Sequence, residues 1–215
     1  MEEVINHAVL RREWDMTATK QDKELYYTIL DFEEEYFPEM TFKADSIISK
    51  FLEYEIVEDD GSFTKTYEEI LSSIKYMNYR FYIKDIENYP YGQAIGQINS
   101  EERTLIIAPE FSTDKGTILH EMIHVYVDNI NNNFHMFYHD IFTLCLYNDL
   151  KSKVPELDNR ILSHTHVILG QKITMQGGSH DILFFLKSLD LDLRCGYKLG
   201  TICAYGRDEY IKASE

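Results

Sequence analysis

Apolar residues recur every three or four positions over residues 21–37, where Leu25, Ile29, Phe32 and Tyr36 share one face and Pro38 ends the segment. That spacing predicts a helix. Two more are predicted over 43–54 and 66–77, with the turn Asp59-Asp60-Gly61 between them. The period changes at residue 79. Tyr79-Arg80-Phe81-Tyr82-Ile83-Lys84 alternates among strand formers, and 91–98 and 103–108 continue in the same style. Asn99-Ser100-Glu101-Glu102 then reads as the loop of a hairpin, and Pro109 stops the last strand because it has no N–H to give a ladder. Ser112, Thr113 and Asp114 are all suitable caps for a strongly apolar helix running from Thr117 to Asn129. Beyond it the pattern predicts a helix over 134–151, a strand over 166–175, a helix over 181–191 and a glycine-punctuated strand or hairpin over 195–206. Helices grouped ahead of a run of strands place the chain in the α+β class.

Composition narrows the class of function. The 215 residues suffice for a substantial core without disulfide staples. A hydrophobic content of 44% is too high for an intrinsically disordered chain. The net charge of −16 argues against nucleic acid or an anionic membrane surface as a partner, since both need clustered Lys and Arg. Cys145, Cys195 and Cys203 form no C-x-x-C pair, which suits buried thiols in a reducing compartment. Met1-Glu2-Glu3 opens no basic-then-apolar signal segment, and no apolar run approaches the ~18 residues that span a bilayer. The expectation is a cytoplasmic protein without a membrane partner.

One motif carries chemistry. His120-Glu121-Met122-Ile123-His124 is an H-E-x-x-H sequence inside the apolar helix. Positions four apart on a helix differ by only about 40° in direction, so both imidazoles leave one face and can share a Zn²⁺ ion. Glu121 sits about 100° from His120, within reach of a metal-activated water without being a ligand. Ile118, Leu119, Met122, Ile123, Val125 and Val127 surround these residues, so the helix is expected to be buried. Buried imidazoles are costly without partners, and a metal supplies them.

Two histidines leave the site a ligand short. The compact pattern with a third histidine six residues on fails, because that position is Ile130. A glutamate on a following helix fails too, since no Glu occurs between 125 and 155. The remaining donors are His135, His139, His164, His166 and His180, with Asp128, Asp140 and Asp149.

From about Gly92 to Phe142 the chain resembles the SprT-like metallopeptidases, which include the Spartan proteases. The shared features are a glycine-bearing strand, L-I-I-A-P-E-F, T-I-L-H-E-M-I-H, the pair Asn131-Asn132 and a further histidine. The resemblance implies a zincin-like core in which a small, mostly antiparallel sheet packs on the H-E-x-x-H helix. It implies Zn²⁺ held by His120, His124 and His139, with Glu121 as general base and acid. Asp140 stands where the family has a glycine, so Gly177-Gly178-Ser179-His180-Asp181-Ile182-Leu183-Phe184 offers His180 as a second candidate. The family's zinc ribbon of paired cysteines is missing.

The implied organisation is an N-terminal helical region over 1–78 packed on a catalytic domain over 79–215. The implied activity is that of a zinc endopeptidase acting on a protein or peptide, with substrate pairing along strand 103–108. The competing reading keeps zinc and fold in a non-catalytic binding or regulatory module.

Overall fold

The computed structural model describes residues 7–37, 79–86, 95–99, 101–133, 136–154, 157, 166–168, 171–173 and 180–204. Among them are five α-helices and two small sheets, an α+β arrangement. The helices are α1 (His7–Thr17), α2 (Lys20–Tyr36), α3 (Lys115–Asn133), α4 (Met136–Leu150) and α5 (Ile182–Cys195). The strands are β1 (Arg80–Ile83), β2 (Gly96–Asn99), β3 (Thr104–Ile107), β4 (His166–Ile168) and β5 (Gln171–Ile173). The helices predicted over 43–54 and 66–77 lie outside the described residues.

Helix α2 starts at a capping box. Thr19 accepts from the Asp22 N–H at 3.1 Å, and Asp22 accepts from the Thr19 N–H at 2.9 Å. The other carboxylate oxygen of Asp22 accepts from the Ile83 N–H at 2.7 Å. One buried carboxylate thus begins a helix and pins strand β1 to it. Helix α1, which the periodicity did not predict, docks beside the same strand. Trp14 is buried there and donates its indole N–H to the Phe81 carbonyl at 2.9 Å. The Arg11 guanidinium stacks over Trp14 and Tyr26, and its N–H reaches the Tyr79 carbonyl at 2.6 Å. Trp14, Leu25 and Ile29 belong to the same hydrophobic cluster as α3 and α5.

The larger sheet has the order β1-β3-β2. The hairpin is present: β2 runs antiparallel to β3 with Ile98 opposite Leu105, and the Asn99 side chain accepts from the Glu102 N–H in its turn. Strand β1, however, lies parallel to β3, with Phe81 opposite Leu105. The sheet is mixed rather than mostly antiparallel. Because β3 is hydrogen-bonded on both sides, it is not the edge that substrate pairing along 103–108 requires. Its residues say why: Leu105, Ile107 and Ala108 are buried, as befits a central strand.

After a turn of 3₁₀-helix at Pro109–Phe111, Asp114 caps α3 by accepting from the Thr117 N–H at 2.7 Å. The predicted strand over 166–175 is two short strands, β4 and β5, paired antiparallel. Helix α5 begins at the Asp181 cap and continues past residue 191 to Cys195, where Gly196 closes it. Residues 197–204, expected as strand or hairpin, are turns instead. Among the described residues no helix is long and apolar enough to cross a membrane.

Candidate metal centre

Helix α3 is apolar on nearly every side. Ile118, Leu119, Met122, Ile123, Val125 and Tyr126 are buried in the core, and His120 and Glu121 are buried with them at 0% and 2% exposure. The helical repeat brings the two histidines together: His120 Nε2 lies 3.1 Å from His124 Nε2. His180 completes the group from the residue before the α5 cap, with its Nε2 3.2 Å from His120 Nε2. The three rings present one nitrogen each within a 4.8 Å span. Phe184, one turn into α5, packs against all three imidazoles at centroid distances of 4.9, 4.5 and 4.5 Å and forms an apolar floor.

Nitrogens bound to one tetrahedral zinc at roughly 2.0–2.1 Å sit about 3.3 Å apart, so the 3.1 and 3.2 Å separations from His120 fit such an ion. The donor set fits as well. His120 Nδ1 lies 2.8 Å from the Ile202 carbonyl, which can only accept, so Nδ1 carries the proton and Nε2 keeps its lone pair. Burial, reinforced by the neighbouring His124 and His180, holds the His120 pKa well below 6.5. Burial likewise lowers that of His180, against the pull of Asp181. A free lone pair on His120 Nε2, with the Nε2 atoms of His124 and His180 beside it, is an arrangement that can hold a divalent cation.

His139, the third ligand implied by the family resemblance, stands outside this group. It is buried in α4, and its Nε2 donates to Asp181 Oδ2 at 2.9 Å. Its Nδ1 lies 3.6 Å from Asp140 Oδ1. Burial opposes the imidazolium here, but the hydrogen bond to Asp181 and its charge, joined by Asp140, outweigh it and raise the pKa. This histidine is a buried partner of the carboxylate that caps α5, since Asp181 Oδ1 also accepts from the Phe184 N–H at 2.9 Å. His139 thereby acts one residue away from His180, on the helix start that aims it.

Glu121 lies against β2. A methyl group built on Gly96 would come within 2.1 Å of the Glu121 carboxyl carbon and 2.3 Å of Oε1. The glycine therefore leaves the space the carboxylate fills. The sequence reading identified Glu121 but not this cradle, although a glycine in a strand beside a buried helix signals such close approach.

The remaining element at the centre is the chain after α5. Asp192 is fully buried on α5 and accepts from the Gly200 N–H at 2.7 Å and the Ile202 N–H at 3.0 Å. Burial pushes its carboxyl up to about 7 in spite of backbone donors at Ile202, Gly200 and Thr201. Side chains of Ile202, Cys203 and Ala204 are buried in turn. No protein-family model, curated protein or solved structure matches the chain.

Proposed function

We propose that the chain is a zinc-dependent peptidase of the SprT-like kind, in which His120, His124 and His180 hold the ion and Glu121 moves the proton. The observation that carries this reading is the convergence of three imidazole nitrogens within 4.8 Å on a helix that also bears Glu121. A structural metal site has no use for the buried carboxylate between its ligands, whereas hydrolysis does. Zinc, when bound, supplies a Lewis acid for the scissile carbonyl and brings the pKa of a water towards roughly 7. Glu121 accepts the proton of the attacking water and returns it to the leaving amine. Phe184 and the core residues of α3 keep bulk water from the far side of the imidazoles.

Substrate pairing belongs to β2 rather than β3. Among the described residues β2 pairs on one side only, it packs on α3, and its Gly96 touches Glu121. An extended peptide added to that strand lies alongside the proton-transfer group, held by main-chain hydrogen bonds that read little of the side chains.

The test is metal analysis joined to cleavage. Purified protein is expected to carry one zinc per chain and to cleave a flexible substrate such as casein. A strong chelator should stop cleavage, and added zinc should restore it. A chain without stoichiometric metal, or cleavage indifferent to the chelator, would defeat the reading. Zinc bound without any cleavage would favour the non-catalytic module.

Gly96→Ala offers a second check. The group in its way is a side chain rather than backbone, so Glu121 shifts and the fold is expected to survive with a stability loss of about 1–3 kcal/mol. The carboxylate, however, leaves its place. Cleavage should fall about 10²-fold while zinc content is unchanged, because misplacement by ~1 Å costs about that much. Wild-type kinetics in the variant would show that the cradle is irrelevant to catalysis.

A further inference from the structure

The chain return after α5 is a turn that pairs with no strand among the described residues, yet its Ile202 carbonyl bonds a histidine of the cluster. The Ile202 carbonyl orients His120 through Nδ1, and the N–H of that same residue is bound by Asp192. One residue thus links a buried carboxylate to a buried imidazole. Gly200 lets the turn form. Its φ of +88° is a left-handed conformation that side-chain-bearing residues rarely adopt, and its N–H gives the second bond to Asp192. His180 immediately precedes the Asp181 cap at the other end of the same helix, so two of the three clustered histidines are tied to opposite ends of α5.

We propose that Asp192 is a positioning residue of the metal centre: it clamps residues 200–202 so that the Ile202 carbonyl holds the Nδ1–H tautomer of His120 and leaves Nε2 to the ion. This rests on His120, His124 and His180 being a metal site. Asp192 touches no ligand itself and acts only through the turn. Partners of ligating histidines commonly tune affinity by about 10- to 100-fold, and here the tuning passes through one further residue. Metal and turn are coupled reciprocally, because whatever holds His120 for zinc must itself be held more firmly when zinc is present.

The experiment measures zinc affinity by competition with a chromophoric chelator in the whole chain, for wild type, Asp192→Ala, Asp192→Asn and Lys187→Met. Lys187 is an equally buried α5 residue bonded to the Tyr36 carbonyl and Asp190, so it controls for damage to the helix. Asp192→Ala should weaken zinc binding about 10- to 100-fold and Asp192→Asn less, since the amide keeps one acceptor. Lys187→Met should lower the unfolding midpoint without changing zinc affinity. Amide exchange of the unsubstituted chain gives an arm independent of how the variants fold: zinc should slow exchange at Gly200 and Ile202. Equal affinity in the Asp192 variants, equal weakening in Lys187→Met, or exchange at Gly200 and Ile202 unmoved by zinc would each overturn the proposal. Wild-type protein that binds no zinc would instead remove the metal site on which it stands.

Discussion

His180→Ala is expected to lose zinc, and His139→Ala to keep it. A bound structural zinc is worth roughly 10–16 kcal/mol, so each of three or four ligands carries about 3–4 kcal/mol, and deleting one weakens binding some 10²- to 10³-fold. His180 is such a ligand in the proposed site, 3.2 Å from His120 at the nitrogen. His139 is bonded instead to the cap of the helix that His180 precedes. Its removal should cost stability through the hydrogen bond lost to buried Asp181, about 1–3 kcal/mol, and should weaken zinc at least tenfold less than His180→Ala does. That stability cost has a definite pH sense. The folded pKa of His139 is raised above 6.5, so its contribution is complete below 6.5 and fades as pH rises through the raised value. The unfolding midpoints of wild type and His139→Ala should therefore diverge more at pH 6 than at pH 8. Chelator competition on both variants decides the assignment, and the reverse order of affinities would restore His139 as ligand.

The third histidine of the cluster shows where sequence reasoning stops. His120 and His124 are legible because one helix fixes their separation, and the apolar residues around them announce the helix. No local rule fixes the partner that meets them from elsewhere in the chain. The family resemblance pointed to the nearby His139, but α4 turns that ring towards Asp181 within the core. The Gly177-Gly178-Ser179-His180 segment had offered His180 only as the second candidate, and its place in the chain carried a further signal. A histidine immediately before Asp181, which opens the apolar run Ile182-Leu183-Phe184-Phe185-Leu186, stands at the start of a buried helix where its direction is set by a cap.

Elsewhere the same division holds. The hairpin of β2 and β3 follows from local alternation and turn residues, while the parallel pairing of β1 on the far side of β3 does not, since parallel neighbours are joined by no tight turn. That pairing moves the proposed substrate edge from β3 to β2. The glycines after α5 suggested a hairpin, yet Gly196 ends the helix and Gly200 bends the chain back to Asp192. Glycine marks where the chain turns without stating what the turn reaches. Ile202, 82 residues beyond His120 in the chain, carried no local sign that its carbonyl meets that ring, and Asp192 none that it holds Ile202.

Glu121→Gln is expected to retain one zinc per chain and to lose cleavage of a flexible protein by about 10²- to 10⁴-fold, the range for removing a general acid–base group. The substitution keeps the volume that lies against Gly96, so packing of α3 on β2 gives no reason for misfolding. It keeps the ligands, so metal content has no reason to fall. What it removes is a proton acceptor, because an amide cannot take the proton of the attacking water. This separates Glu121 from the imidazoles, whose loss is expected to remove metal and activity together. It also separates a peptidase from a metal-binding scaffold, in which the buried carboxylate would have no proton to carry. For a scaffold, Glu121→Gln should leave zinc, fold and partner binding intact with no cleavage to lose. For a peptidase, intact zinc with cleavage abolished is the required pair of results, and unchanged cleavage in that variant would show that Glu121 does not carry the proton.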